Sequence, residues 1–359
     1  MGLEKECRWF SGVLISTIAI LAGLSGLTVA VDPFFHYHKP LRILQYPLLW
    51  DNERYMNDGI LKNFDYEAII TGTSMAENFK VSDFEALWKV KTVKTPFSGA
   101  SYKEIADNLD RAFMSGKRIK YVLRSLDYFY LFGDKDAMMY EEDTYPWYLY
   151  DDVIWNDVKY ILNKDVLFGH TLETIDYTIA GNETTSFDAY ANWNGNCAFG
   201  KDAVLNTYVR LESAMEDAVP LTEEESGMIK ASLEQNVLSM ARKNPDTKFF
   251  LFFTPYSIVW WDAQNRSGVL KRRVEAEQLA IEEILEFDNI ELYSFSNNFD
   301  LTCNLDNYKD IEHYGEEINH KILQWIYNGE YRLTKENYKD YISEIREFYL
   351  NYDYDSIFE

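Results

Sequence analysis

Short apolar runs alternate with segments of helical spacing along most of the chain. Apolar runs of four to eight residues bounded by turn residues are typical of buried strands, and apolar residues three and four apart are typical of helices. This pattern predicts strands over 66–71, 90–95, 120–126, 248–253 and 290–293, and helices over about 78–88, 102–116, 222–243, 267–287 and 314–327. Because strands and helices alternate, the sequence predicts a three-layer α/β/α fold with a five-stranded parallel sheet.

Two stretches depart from this alternation. Residues 134–220 are rich in Tyr, Asp, Asn and Trp, and we interpret them as an insertion of short helices and loops that forms a lid or a wall of a ligand site. Residues 331–359 place charges among Tyr and Phe, which predicts an amphipathic helical tail packed on the body. The main domain is therefore predicted over 66–330, and a polar, aromatic connector precedes it over 32–65.

The N-terminal region contains one long apolar segment. Residues 12–31, GVLISTIAILAGLSGLTVAV, carry no charge and are long enough to cross a bilayer as a helix. Lys5 and Arg8 precede it, although two nearby glutamates weaken the positive-inside signal. A cleaved signal peptide with Thr28-Val29-Ala30 at the cleavage site and a buried helix of a soluble protein are the alternatives. The length favours an uncleaved single-pass anchor, with 1–11 in the cytoplasm and the main domain outside it.

Charge and cysteine content narrow the function classes. The formal net charge is -24, which disfavours a nucleic-acid partner because such binding depends on Lys and Arg that neutralise phosphates. Cys197 and Cys303 follow the apolar segment and either pair or remain free thiols, whereas Cys7 precedes it. No C-x-x-C spacing and no phosphate-binding G-x-x-x-x-G-K-[ST] motif is present, so we expect neither a metal nor a cofactor.

The stretch TGTSMAENF, residues 71–79, places Ser74 between the first predicted strand and the following helix. One interpretation is structural, because Ser74 and Glu77 fit the S-x-x-E capping box. The other is chemical, because a serine at the carboxyl end of a strand and at a helix N-terminus gains N–H donors and a favourable dipole. Gly99 and Asp127 follow the second and third predicted strands, so we expect them at the same edge of the sheet.

A serine nucleophile needs a base, and the chain has five histidines. They are His36, His38, His170, His313 and His320. His313 follows the fifth predicted strand in the sequence Asp310-Ile-Glu-His313, where the aspartate can hold one ring nitrogen and leave the other facing a serine. The alternative is that Asp310 caps the last helix and His313 is an ordinary first-turn residue.

These motifs together resemble the SGNH/GDSL hydrolases over about 66–327, outside the insertion. The resemblance rests on Gly72-Thr73-Ser74 after the first strand, Gly99 after the second, and Asp310-x-x-His313 near the end. It implies a flavodoxin-like SGNH fold, a catalytic triad of Ser74, His313 and Asp310, and an oxyanion hole formed by the N–H groups of Ser74 and Gly99. With its apolar N-terminus, the chain is also similar to the D-alanyl-transfer proteins of teichoic-acid operons and to the alginate O-acetylation proteins, which work beside membrane-bound O-acyltransferases.

One position departs from the family pattern. The resemblance implies an asparagine that donates to the oxyanion after the third strand, and this chain has Asp127 there. An ionised carboxylate cannot donate a hydrogen bond. Asp127 is therefore protonated, points elsewhere or weakens the site. We expect it to line the site together with Thr73 and Asn78.

We therefore predict an extracytoplasmic serine esterase or O-acyltransferase that acts on acyl groups of cell-envelope glycans. The predicted partners are a cell-envelope glycan or an acyl-carrying small molecule, the membrane through the N-terminal helix, and a membrane-bound O-acyltransferase. The main alternative is a catalytically inactive SGNH-like protein that binds a glycan or a membrane partner. A phosphate or nucleotide binder is a third hypothesis, which the acidic chain and the missing phosphate loop disfavour.

Overall fold

The computed structural model describes residues 2–212 and 220–359. Residues 213–219 of the predicted insertion 134–220, and Met1 of the predicted N-terminal segment, lie outside the described residues. The chain forms two compact units. The first contains residues up to Phe64 together with Asp143–Ser186, and the second contains Asp65–Glu142 together with Phe187–Glu359. The predicted division into a connector, a main domain with an insertion, and a tail stays a prediction.

The helices and strands follow one another along the chain as predicted in outline. The helices are α1 Gly2–Val31, α2 Glu53–Asn63, α3 Val81–Trp88, α4 Tyr102–Met114, α5 Tyr128–Leu131, α6 Val158–Ile161, α7 Leu172–Ile179, α8 Lys201–Asn206, α9 Glu223–Leu233, α10 Ser239–Lys243, α11 Ile258–Arg266, α12 Leu270–Ile284, α13 Phe299–Thr302, α14 Glu316–Asn328 and α15 Tyr338–Asn351. The strands are β1 Ala68–Gly72, β2 Thr92–Pro96, β3 Tyr121–Leu126, β4 Lys248–Phe253, β5 Ile290–Ser294 and β6 Arg332–Leu333.

The second unit contains a mixed α/β fold built on one sheet with the strand order β2-β1-β3-β4-β5-β6. The first five strands in this order pair in parallel, and the order 2-1-3-4-5 is that of flavodoxin-like doubly wound sheets. The α/β class with a mostly parallel sheet is thus confirmed. The prediction of five strands is wrong, because β6 pairs antiparallel with β5 through Leu292–Leu333 and Tyr293–Arg332. A two-residue strand contains no apolar run that periodicity could detect.

Helices cover both faces of this sheet. Phe249 of β4 lies 6.2 Å from Phe113 of α4, measured between ring centroids, whereas Phe250 lies 5.3 Å from Trp88 of α3. Successive side chains of a strand point to opposite faces, so these contacts place α4 and α3 on opposite sides. Burying a phenylalanine stabilises the fold by roughly 1.5–3 kcal/mol, and β4 buries four of them.

Helix boundaries differ from the predicted ones where the local geometry changes. The predicted helix over 267–287 corresponds to α12, which begins only at Leu270 because Gly268 has a left-handed φ of +66°. The preceding helix α11 was not predicted. The helix predicted over 222–243 is interrupted by a π-helical turn at Glu234–Leu238. The predicted amphipathic tail contains α15, which buries Tyr341, Ile342, Ile345 and Tyr349.

The N-terminal helix and the cysteines can be compared with the predicted membrane anchor and with the alternatives for Cys197 and Cys303. Residues Glu4–Val31 of α1 are long and apolar enough, by length and composition, to cross a membrane. Of the two alternatives for Cys197 and Cys303, the structure shows free thiols, and Cys7 is free and exposed.

Candidate active site

Ser74 lies directly after β1 because the chain turns sharply at Gly72. Gly72 has a φ of +147°, and a Cβ at this position would lie 2.1 Å from Oγ of Ser125, so only glycine fits. The next turn is a 3-10 helix over Ser74–Ala76, and its N-cap is Thr73, whose hydroxyl accepts the N–H of Met75. The capping interpretation of Ser74 is therefore wrong, since Thr73 performs that role and the Ser74 hydroxyl bonds elsewhere.

A continuous chain of hydrogen bonds joins three of the predicted site residues. Oγ of Ser74 lies 2.8 Å from Nε2 of His313. Nδ1 of the same ring lies 3.0 Å and 2.9 Å from the two carboxylate oxygens of Asp310. Because a carboxylate only accepts, Nδ1 carries the ring proton and Nε2 is free to accept the serine proton. The roles of these residues in a reaction remain predictions.

The carboxylate of Asp310 is held in its ionised form. Burial alone would raise the pKa of Asp310. Hydrogen bonds from His313 and from the N–H of Glu312, together with the electrostatic interaction with the His313 ring, outweigh burial and lower the pKa below its usual value. One oxygen accepts the N–H groups of Glu312 and His313 at 2.9 Å and 2.8 Å. The D-x-x-H spacing thus places a fixed negative charge against the imidazole ring.

The loop that carries His313 is anchored to the carboxyl end of β4. Tyr308 and Tyr314 pair as an isolated antiparallel bridge that closes the loop. Ser257 donates its hydroxyl to the carbonyl of Ile311 at 2.7 Å, and Tyr308 donates its hydroxyl to the carbonyl of Pro255 at 2.7 Å. Since β4 and β1 both end at this edge of the sheet, these bonds bring the histidine loop to the serine turn.

Gly99 follows β2, the strand next to β1. The two strands are in register at Gly72 and Pro96, and the N–H of Phe97 donates to the carbonyl of Gly72 at 2.9 Å. Gly99 has a left-handed φ of +64°, which glycine adopts without strain. Within the part of the chain that the structure describes, the N–H groups of Ser74 and Gly99 have no acceptor. Their role as donors to an oxyanion stays a prediction.

Asp127 follows β3 and is almost fully buried. Its two carboxyl oxygens accept hydrogen bonds from the hydroxyl of Thr73 at 2.9 Å and from that of Tyr256 at 2.7 Å. Burial raises the pKa of Asp127, although the hydrogen bonds from Tyr256 and Thr73 oppose the rise. Of the three alternatives for this residue, the geometry favours a side chain that points elsewhere, because it supports the turn at Thr73.

Asn78 connects the serine turn to an aromatic side chain beside His313. Its side-chain oxygen accepts the N–H of Trp193 at 3.1 Å. The Trp193 ring meets the His313 ring edge-on with centroids 5.6 Å apart, and Nζ of Lys309 lies 3.7 Å from the centre of the tryptophan ring. Trp193 therefore forms an aromatic wall of the site beside His313.

Sequence reasoning missed two side chains of this site. Tyr256 follows β4 by three positions, so the rule that ligands bind beyond strand carboxyl ends could have found it. Trp193 lies in an irregular segment of the predicted insertion, where no periodic pattern marks it.

Among the residues that the structure describes, no other histidine forms such a hydrogen bond with a serine. His36, His38 and His170 belong to the first unit. His320 of α14 bonds Oδ2 of Asp83 through Nδ1 at 2.9 Å, but its Nε2 meets the side-chain amide of Gln324. Over residues 2–212 and 220–359, no group of three or more His, Cys, Asp or Glu side chains is arranged to hold a metal ion.

Comparisons with known proteins leave the family open. No family model matches the chain, and no curated protein matches it. Among solved structures, one from Streptococcus pneumonia described as "a putative platelet activating factor" shares 12% identity, with 82% of this chain and 92% of that chain covered and a TM-score of 0.36. A likeness of this size assigns neither a family nor a function to the chain.

Proposed function

We propose that the chain is a serine esterase or O-acyltransferase in which Ser74 is the nucleophile, His313 the general base and Asp310 the residue that orients the base. The observation that supports this is the hydrogen-bond chain from Oγ through the imidazole to the carboxylate, with links of 2.8 Å and 2.9 Å. A base within reach of a serine and held by a third group is the arrangement that activates the hydroxyl. A protein that only binds a glycan needs neither contact.

In the first half of the reaction, Oγ of Ser74 attacks the carbonyl carbon of an ester while its proton passes to Nε2 of His313. The carbonyl oxygen becomes an oxyanion, and the N–H groups of Ser74 and Gly99 donate to it. Each such donor typically stabilises the transition state by about 3 kcal/mol. The carbon–oxygen bond to the alcohol then breaks, the alcohol leaves with the proton from Nε2, and an acyl-serine remains.

In the second half, water or a sugar hydroxyl attacks the acyl-serine. The attacking oxygen gives its proton to Nε2, the acyl group leaves Ser74, and Oγ recovers a proton from the imidazolium. Water as the acceptor yields a carboxylic acid, and a hydroxyl yields a new ester. Asp310 stays ionised throughout and stabilises the imidazolium that forms in each half.

The substrate class that we propose is an O-acyl group on a cell-envelope glycan, handled outside the cytoplasm by an SGNH-like domain. The likeness of the serine, glycine and D-x-x-H motifs to those of the SGNH/GDSL hydrolases supports an SGNH-like domain, and the length of the apolar segment in α1 supports a membrane anchor. The half-buried ring of Trp193 beside His313 suits a sugar, because sugars present a flat apolar face to aromatic rings. A membrane-bound O-acyltransferase is the proposed partner.

Turnover of a simple acyl ester tests the proposal directly. The full chain, purified with α1 in lipid nanodiscs, is mixed with p-nitrophenyl acetate, with and without a polyol acceptor. We expect Ser74→Ala and His313→Ala to reduce turnover by about a thousandfold or more. Ser82→Ala and His320→Ala are matched controls, since each removes an exposed side chain bonded to a carboxylate, and both should keep the parent rate.

The products separate the two activities and the alternative. Release of acetate alone indicates an esterase, and appearance of an acetylated polyol indicates an acyltransferase. A folded parent that is no faster than Ser74→Ala contradicts the enzyme proposal. The SGNH-like binding protein would then be the better hypothesis, with Trp193 as its contact to a glycan.

A further inference from the structure

The first unit exposes a cluster of large apolar side chains, here called the apolar patch. It consists of Ile154, Trp155, Val158, Leu162 and Phe168, with exposed fractions of 77%, 91%, 48%, 40% and 63%. Single exposed apolar residues are common on soluble proteins, but five large ones within residues 154–168, Trp and Phe among them, mark an interaction surface. None of the patch residues belongs to the candidate active site.

The elements that carry the patch lie against the end of α1. Helix α1 contacts α6 and the π-helical turn Asp165–Thr171, all within the first unit. The side chains of residues 4–23 are exposed, whereas Thr28 and Val31 are buried. The contacts therefore involve the last turns of α1, and the preceding turns project from the unit.

A buried carboxylate fixes this junction. Oδ1 of Asp32 accepts the N–H of His36 at 3.0 Å and the hydroxyl of Tyr160 at 2.9 Å, and Oδ2 accepts the N–H groups of Tyr37 and His38 at 2.8 Å and 3.0 Å. Tyr160 lies on α6, between patch residues Val158 and Leu162 in sequence, and is fully buried. The position of the patch along the axis of α1 is thus fixed relative to the end of that helix.

The length of the apolar part of α1 shows where its end lies in a bilayer. The apolar segment 12–31 spans about 30 Å at 1.5 Å per residue, which matches the hydrocarbon core. When this segment crosses the membrane, Val31 lies at the boundary between hydrocarbon and headgroups. The elements packed on the last turns of α1 then lie at the same depth, where Trp is the favoured side chain.

We propose that the apolar patch inserts into the interfacial layer of the bilayer that α1 crosses, on the side where α1 ends. The first unit would then rest on lipid, and α1 and the patch would be two contacts with one membrane. The argument depends on α1 and on the junction at Asp32, and it is independent of the proposed acyl chemistry. A protein partner on the same surface is the competing occupant, and the test separates it.

Spin labels measure the depth of the patch in the full chain. Cysteines are introduced by Ile154→Cys, Trp155→Cys or Phe168→Cys after the three native cysteines have been replaced by serine, and the proteins are placed in lipid nanodiscs. Oxygen concentrates in lipid and a nickel chelate in water, so their collision rates with each label report its depth. We expect oxygen to dominate at all three sites. Glu183→Cys, an exposed polar position of the same unit, should show the opposite preference.

If the labels in the apolar patch collide with the nickel chelate as often as the label at position 183 does, the patch lies in water and the proposal is overturned. Labels shielded from both reagents would also overturn it, because they would indicate a protein partner. A second measurement avoids the cysteine changes. Brominated lipids should quench part of the parent's tryptophan emission, and Trp155→Tyr should lower the quenched fraction; an unchanged fraction contradicts lipid contact.

Discussion

The carboxylate of Asp310 determines which nitrogen of His313 carries the ring proton. We predict that Asp310→Asn moves this proton to the other nitrogen and leaves the loop in place. One oxygen of Asp310 accepts the N–H groups of Glu312 and His313, and the other lies 2.9 Å from Nδ1. An asparagine that keeps both backbone bonds places its NH₂ group against Nδ1. Nδ1 must then accept, so the ring proton moves to Nε2 and faces Oγ of Ser74.

With a proton on Nε2, the imidazole can no longer accept the serine proton. In the Ser-His-Asp arrangement the wrong tautomer lowers the rate by about 10⁴-fold. That factor corresponds to about 5 kcal/mol in the activation free energy. Because both backbone hydrogen bonds remain, we expect the free energy of unfolding to change by only about 1 kcal/mol.

The assay is the second-order rate of labelling of the full chain by a fluorophosphonate probe, with urea unfolding as the check on folding. Asp83→Asn is the matched control, because Asp83 makes the same kind of contact to Nδ1 of His320. The control should label at the parent rate. If Asp310→Asn also labels within about tenfold of the parent, the carboxylate does not set the tautomer and the reasoning is refuted.

Three further predictions concern the turn after β1 and the buried core. Gly72→Ala should lower the free energy of unfolding by about 3 kcal/mol, because its Cβ would meet Ser125; a urea midpoint like the parent's contradicts this. Thr73→Val removes the cap and the donor to Asp127, so we expect slower probe labelling by about tenfold and a loss of about 2 kcal/mol in stability, and an unchanged rate would argue against a positioning role. Burial raises the pKa of Glu277 from 4.5 to about 7, so the native state keeps a proton that the unfolded chain releases. Stability from this group should fall by about 3 kcal/mol as the pH rises from about 4.5 to 7, and urea unfolding at both pH values should show that Glu277→Gln abolishes the fall.

The order of strands and helices in the second unit follows from apolar periodicity, because each strand is buried on both faces and each helix covers one. The strand over 248–253 agrees with β4 at both ends. β6 was not predicted, since its two residues are too few to form an apolar run. The division into two units also depends on contacts between residues far apart in sequence, which a local pattern does not contain.

The three residues of the hydrogen-bond chain could be proposed from sequence because each follows a predicted strand in a short motif. Which residue caps the turn could not, since Thr73 and Ser74 are both good caps and only the geometry at Gly72 decides between them. The role of Asp127 depends on Tyr256, which lies 129 positions away in sequence. Contacts of that range are set by tertiary packing rather than by local propensity.

The central claim is that Ser74 is an activated nucleophile. The most direct measurement is the site of fluorophosphonate attachment in the full-length parent, mapped by mass spectrometry of its peptides. Our account predicts one adduct per chain, on Ser74, and no adduct in His313→Ala. A folded parent without an adduct, or with an adduct on another residue, would contradict it.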